Sequence, residues 1–155
     1  ICLPPNSKAD VRGTGTIVGW GQSKNSPESN EEIVDVPRQL ELPIVQASRC
    51  YPKFPALSKI SSERMYCAGY ENKTKGPCFG DSGGGFYSSD SPSSPFFIKG
   101  IVSSSLLDNQ KSCDVNKYSL FTSVNYFVEW VENILERTME IEWTEVELKC
   151  RKERR

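Results

Sequence analysis

Short β-prone runs, several of them alternating apolar with polar positions, recur along the chain between turn-forming residues, as in half-buried strands. Six runs read as strands: Thr14 to Gly19, Gln39 to Val45, Met65 to Ala68, Gly84 to Tyr87, Phe96 to Ser103 and Tyr118 to Val124. Between them, Ser23 to Glu32 and Ser88 to Pro95 are polar and rich in breakers, so they read as exposed loops. The period changes at Val124, after which Phe127, Val128, Val131, Ile134 and Leu135 fall with it on one face of a helix. Past Arg137, Met139-Glu140-Ile141-Glu142-Trp143 alternates apolar with acidic residues as a half-buried strand would, and Val146-Glu147-Leu148 repeats the alternation after a slip. Many strands followed by one terminal helix, with no internal repeat, indicate an all-β sandwich or barrel over 1–138 and an extension over 139–155.

Composition narrows this to a compact, turn-rich domain: 155 residues, 37% hydrophobic, with ten Pro and eleven Gly. No run approaches the roughly 18 apolar residues of a membrane span, and a net charge of -1 gives no general attraction to nucleic acid or acidic lipid. The basic end, Lys149 to Arg155, reads as a solvated tail. The six cysteines are Cys2, Cys50, Cys67, Cys78, Cys113 and Cys150. With no His in the chain, and with the nearest pair eleven positions apart, they lack zinc-site spacing, and disulfides of a secreted protein are expected in place of a metal. No cofactor is expected either. Asn72-Lys73-Thr74 matches a glycosylation acceptor and agrees with secretion. The start, Ile1-Cys2-Leu3-Pro4-Pro5, has no initiator Met and no signal peptide, as expected if processing or an incomplete sequence removed the true start.

Candidate chemistry concentrates in Gly80-Asp81-Ser82-Gly83-Gly84-Gly85. A serine hydroxyl is a poor nucleophile, and acyl transfer needs it exposed on a tight turn where backbone N–H groups converge on the reacting carbonyl oxygen. The glycines permit such a turn and leave the N–H groups of Gly80 and Ser82 to form an oxyanion hole.

This segment, preceded by Cys78, resembles the active-site segment of the trypsin and chymotrypsin family of serine endopeptidases. Three further motifs agree in order: Gly19-Trp20-Gly21, Cys67-Ala68-Gly69 and Gly100-Ile101-Val102-Ser103. The resemblance runs from Ile1 to about Arg137 and implies only the second antiparallel Greek-key β-barrel of that fold, with its C-terminal helix. It implies a polypeptide substrate, and a first barrel or upstream chain, absent from this sequence, to which Cys2 would be disulfide-linked. It also implies pairing of Cys50 with Cys67 and of Cys78 with Cys113. Cys150 has no counterpart, which leaves it free to pair with Cys2, to stay reduced or to bond another chain.

The family's nucleophile is activated by a His and an Asp of the first barrel, and this chain has no His. Without a base the chain alone is expected to be inactive. Asp81 takes the family's role of pairing with an amino terminus released by cleavage. Its structural alternative is a turn carboxylate capping nearby N–H groups. Ile1 is apolar and N-terminal, but Cys2-Leu3-Pro4 resembles the interdomain segment, well past the activation site. The pocket-floor position, six before the serine, is Gly76, so no acidic floor awaits Lys or Arg. Ser103 fits the family's Ser-Trp-Gly strand, whose Trp and Gly are here Ser104 and Ser105, and Ser119 stands where the family often has Gly. By the same resemblance the two pocket serines imply a narrow site for small or medium apolar side chains, the alternative being ordinary strand residues in a degenerate pocket. Two functions follow: an endopeptidase acting through a Ser82 acyl-enzyme, or a catalytically dead homologue serving as a binding partner in an extracellular cascade. A stand-alone half-protein would expose a large apolar face.

Overall fold

The computed structural model describes residues 1–4, 12–22, 36–54, 64–72, 75–89, 91, 93–138 and 150. Six antiparallel strands close into a barrel: β1 (Thr14–Gly19), β2 (Arg38–Val45), β3 (Met65–Ala68), β4 (Gly85–Ser88), β5 (Phe97–Ser105) and β6 (Ser119–Ser123), in the order β1-β2-β3-β6-β5-β4. Helix α1 (Ala47–Cys50) and a 3-10 turn (Tyr51–Lys53) follow β2, and α2 (Val124–Thr138) follows β6. The six strands read between Thr14 and Val124 are present, with ends shifted by two residues or fewer. The loop read over Ser23 to Glu32 and the strands read over 139–148 lie outside the described residues.

Side-chain alternation explains the closure. Ile17, Leu42, Tyr66, Ala68, Phe86, Val102 and Phe121 point inward and form the barrel core, with Leu40, Ile44 and Tyr70 packed against it. Three rings make its centre: Phe86 and Phe121 lie 4.9 Å apart, and Tyr66 stacks on Phe121 at 5.8 Å. On the outer side of β3 and β6, Cys67 and Leu120 join Cys50, Phe54 and Tyr118 in a second apolar layer. That layer is why β3 and β6 are buried on both faces, and it is what the α1 and 3-10 segment covers. That segment is too short to show a helical period in the sequence, and Pro52 lies in the first positions of its 3-10 turn.

Among the described residues, the Tyr66 hydroxyl is one of the buried polar side-chain atoms left without a hydrogen bond, as is Ser88 Oγ. Burial pushes the Tyr66 pKa upward. An unsatisfied buried hydroxyl costs about 1–3 kcal/mol, so Tyr66→Phe should be as stable as the native protein or more stable by up to that amount. Thermal or urea unfolding of the two proteins checks this, and a loss above about 1 kcal/mol would contradict it.

In α2, Val124 and Val128 are buried while Phe127, Val131 and Leu135 are half-buried, as the period indicated. Ile134, placed on the same face by sequence, is exposed. Trp130 is also exposed, and with Tyr126, Phe127, Glu129 and Asn133 it lines an open groove of about 600 Å³. No described helix is long and apolar enough to cross a membrane.

Three disulfides brace the chain. Cys50–Cys67 ties α1 to β3, Cys78–Cys113 ties the serine loop to the loop before β6, and Cys2–Cys150 joins the first residues to the last described one. The third pair is one of the alternatives left open for Cys150. The Cys2 backbone adds to β5, donating to Phe96 O at 2.8 Å and accepting from Ile98 N–H at 3.0 Å.

Candidate active site

Ser82 sits on an exposed turn between Cys78 and β4. The turn is tight because Asp81 N–H donates to Cys78 O at 3.0 Å and Gly84 N–H to Asp81 O at 3.0 Å. It is anchored to β5 by Gly83 N–H to Val102 O at 2.9 Å and by Val102 N–H to Gly84 O at 2.8 Å. Gly80 and Gly83 have φ of 93° and 85°, a region that side chains disfavour, so glycine is required at both. The N–H groups of Asp81, Gly83 and Gly84 are therefore taken. Those of Gly80 and Ser82 donate to no acceptor among the described residues, leaving two donors on one turn beside an exposed hydroxyl. Such an arrangement can hold a developing oxyanion while the serine oxygen attacks.

The Asp81 carboxylate points away from solvent into the turn's support. Its Oδ1 accepts from Gly21 N–H and its Oδ2 from Cys78 N–H, each at 3.0 Å. The 20–22 segment is locked on from its other side as well, by Gln22 N–H to Phe79 O at 2.8 Å and by the Arg38 guanidinium to Gly21 O at 3.2 Å. A Cβ at Gly21 would collide with the Asp81 carboxylate, so this contact needs glycine. The Gly-Trp-Gly motif was legible in the sequence, but its partnership with Asp81 spans sixty positions and shows only in the fold. Among the described residues the partners of Asp81 are these two N–H groups, which is the capping arrangement. Ile1 is 75% exposed.

The structure brings Gly76, Ser105 and Ser119 together. Strand β5 carries an irregularity between Val102 and Ser104, which skips Ser103 and leaves it exposed, and the restored register sets Ser105 opposite Ser119. Ser105 Oγ donates to Pro77 O at 2.9 Å, and having one proton it accepts from Ser119 Oγ, also at 2.9 Å. A Cβ on Gly76 would lie 3.6 Å from Ser119 Oγ and 3.6 Å from Val115 Cα. Two linked hydroxyls thus narrow the space beside the residue 76–78 segment. Ser103 stands apart from this group.

In the loop after β3, Glu71 receives Lys53 Nζ at 2.8 Å, Arg49 at 3.5 Å and the Tyr118 hydroxyl at 3.1 Å. The hydrogen bond from Lys53, then that from Tyr118, holds the Glu71 carboxyl below the usual carboxylate range, and Glu71 in turn raises Lys53. The Glu71 contribution is present above its unfolded pKa and is lost as pH falls through the depressed folded value. That of Lys53 is present below its unfolded pKa and lost as pH rises through the raised one. Both groups face solvent, so the cluster fastens the surface of the 69–72 loop with modest energy.

A closed antiparallel barrel, a terminal helix and a glycine-flanked serine turn braced by a disulfide are features of trypsin-like serine proteases. The family model described as Trypsin matches residues 1–131, and the chain belongs to that family. Among its relatives, haptoglobin-related protein of Pan troglodytes is 28% identical over 149 residues, covering 87% of this chain and 40% of the relative. Haptoglobin of Homo sapiens is 27% identical over 149 residues, covering 87% and 34%. Clotting factor C of Tachypleus tridentatus is 33% identical over 144 residues, covering 87% and 13%. The chain thus spans less than half the length of these relatives.

Proposed function

We propose that this chain is the nucleophile-bearing half of an extracellular serine endopeptidase. The observation that carries the reading is the Ser82 turn: an exposed hydroxyl, two N–H groups with no acceptor among the described residues, and Asp81 fastening the turn from beneath. In this mechanism a His and an Asp outside the chain activate Ser82, whose Oγ attacks the carbonyl carbon of a polypeptide. The N–H groups of Gly80 and Ser82 hold the oxyanion, the amine product leaves with a proton from the His, and water then hydrolyses the acyl-enzyme. A carboxylate offers about four acceptor positions and Asp81 uses two, so it keeps capacity for an amino terminus freed by cleavage. Gly76, Ser105 and Ser119 form a narrow pocket for a small or medium apolar side chain, with Ser103 on the strand beside the substrate. Three disulfides support an oxidising, extracellular setting. The barrel and helix of 1–138 form the family unit, with 139–155 as an appendage.

A second reading, a binding or regulatory homologue without catalysis, is favoured by the hydrogen-bonded Ser105–Ser119 pair inside the pocket and by the absence of His from the chain. A fluorophosphonate probe on the activated full-length protein separates the two. Covalent labelling that disappears in Ser82→Ala is the expected result. Absence of labelling in the activated native protein would sink the enzyme reading in favour of the second. The 155-residue chain alone should not turn over peptide.

A further inference from the structure

The loop after β3 bears a feature that the hydrolytic site does not use. Asn72-Lys73-Thr74 is the sole Asn-x-Ser/Thr acceptor in the sequence, with Lys and not Pro at its centre. Asn72 is exposed and lies in the left-handed region at φ 60°. Its backbone N–H donates to Asn116 O at 2.9 Å, fixing the position of the residue. Its side-chain amide has no hydrogen-bond partner among the described residues, so nothing there competes for the nitrogen. Three disulfides place maturation of the chain in an oxidising secretory compartment, where such acceptors meet their transferase.

We propose that Asn72 is an N-glycosylation site. The donor is an oligosaccharide linked through pyrophosphate to a polyprenyl lipid. The Asn72 amide nitrogen bonds to the first sugar carbon, that carbon's bond to the pyrophosphate oxygen breaks, the lipid pyrophosphate leaves, and the amide gives up one proton. The modification is independent of whether Ser82 hydrolyses peptides, and it goes beyond both readings of the site. It also has a spatial consequence. Asn72 adjoins the Lys53–Glu71–Tyr118 cluster and the Asn116 turn, so a glycan there keeps this side of the barrel in water in any assembly and directs a partner to another face.

The test is peptide mapping of the full-length protein produced with its natural leader in a eukaryotic secretory host. After peptide-N-glycosidase digestion in heavy-oxygen water, residue 72 should be recovered as Asp carrying the heavy isotope in the majority of molecules. Thr74→Ala should abolish this conversion and Thr74→Ser should retain it. Mapping of the native protein is decisive even if a variant folds poorly. Unmodified Asn72 in that map, whether the protein is secreted or retained, overturns the proposal.

Discussion

On the endopeptidase reading proposed above, Ser82→Ala, made in a protein that carries both halves of the site, should lower turnover of a peptide substrate by about a million-fold. Removing the oxygen removes the covalent route, and the residual rate would come from the oxyanion donors and substrate binding alone. The structure makes this a clean experiment. Ser82 is exposed and its hydroxyl has no hydrogen-bond partner among the described residues, so the substitution should alter stability by no more than about 0.5 kcal/mol. KM should stay within a few-fold, because the proposed pocket groups Gly76, Ser105 and Ser119 are untouched. Steady-state kinetics and an unfolding curve on the same preparation measure both quantities. Residual activity within tenfold of the native enzyme would mean that Ser82 is not the nucleophile.

Phe121→Ala should cost about 3–5 kcal/mol. Phe121 is 0% exposed, sits on β6 between β3 and β5, and is in ring contact with both Tyr66 and Phe86. Truncation removes the packing of two aromatic pairs and leaves a cavity that a closed barrel relaxes into poorly. Phe96→Ala is the control: its ring is 52% exposed, and its loss should stay near 0.5 kcal/mol. Chemical denaturation of the three proteins reads the difference. Equal losses at positions 96 and 121 would refute the assignment of the barrel centre.

Strand placement was legible where a strand carries inward apolar residues at alternate positions, as Leu40, Leu42 and Ile44 do on β2 and Tyr66 and Ala68 do on β3. The end of β5 was not. Ser103-Ser104-Ser105 has weak strand preference, and only pairing with β6, displaced by the irregularity after Val102, keeps the strand going to Ser105. In the Ser82 turn, the serine and its glycines announce themselves because tight turns and positive φ restrict the residue choice. The Asp81–Gly21 bond and the Ser105–Ser119 bond are long-range, and no local pattern encodes either. Ile134 shows the limit of periodicity in a helix. The helical period identifies a face, while exposure depends on what the described residues pack against it.

The Cys2–Cys150 disulfide has a consequence for how this molecule responds to proteases. It closes a covalent ring with a sequence separation of 148, and the two shorter disulfides lie inside that ring. A single cut at any bond between Cys2 and Cys150 therefore opens the ring without releasing a fragment. Under non-reducing conditions a nicked molecule keeps its mass, with one water added, and separates into pieces only after the sulfurs are reduced.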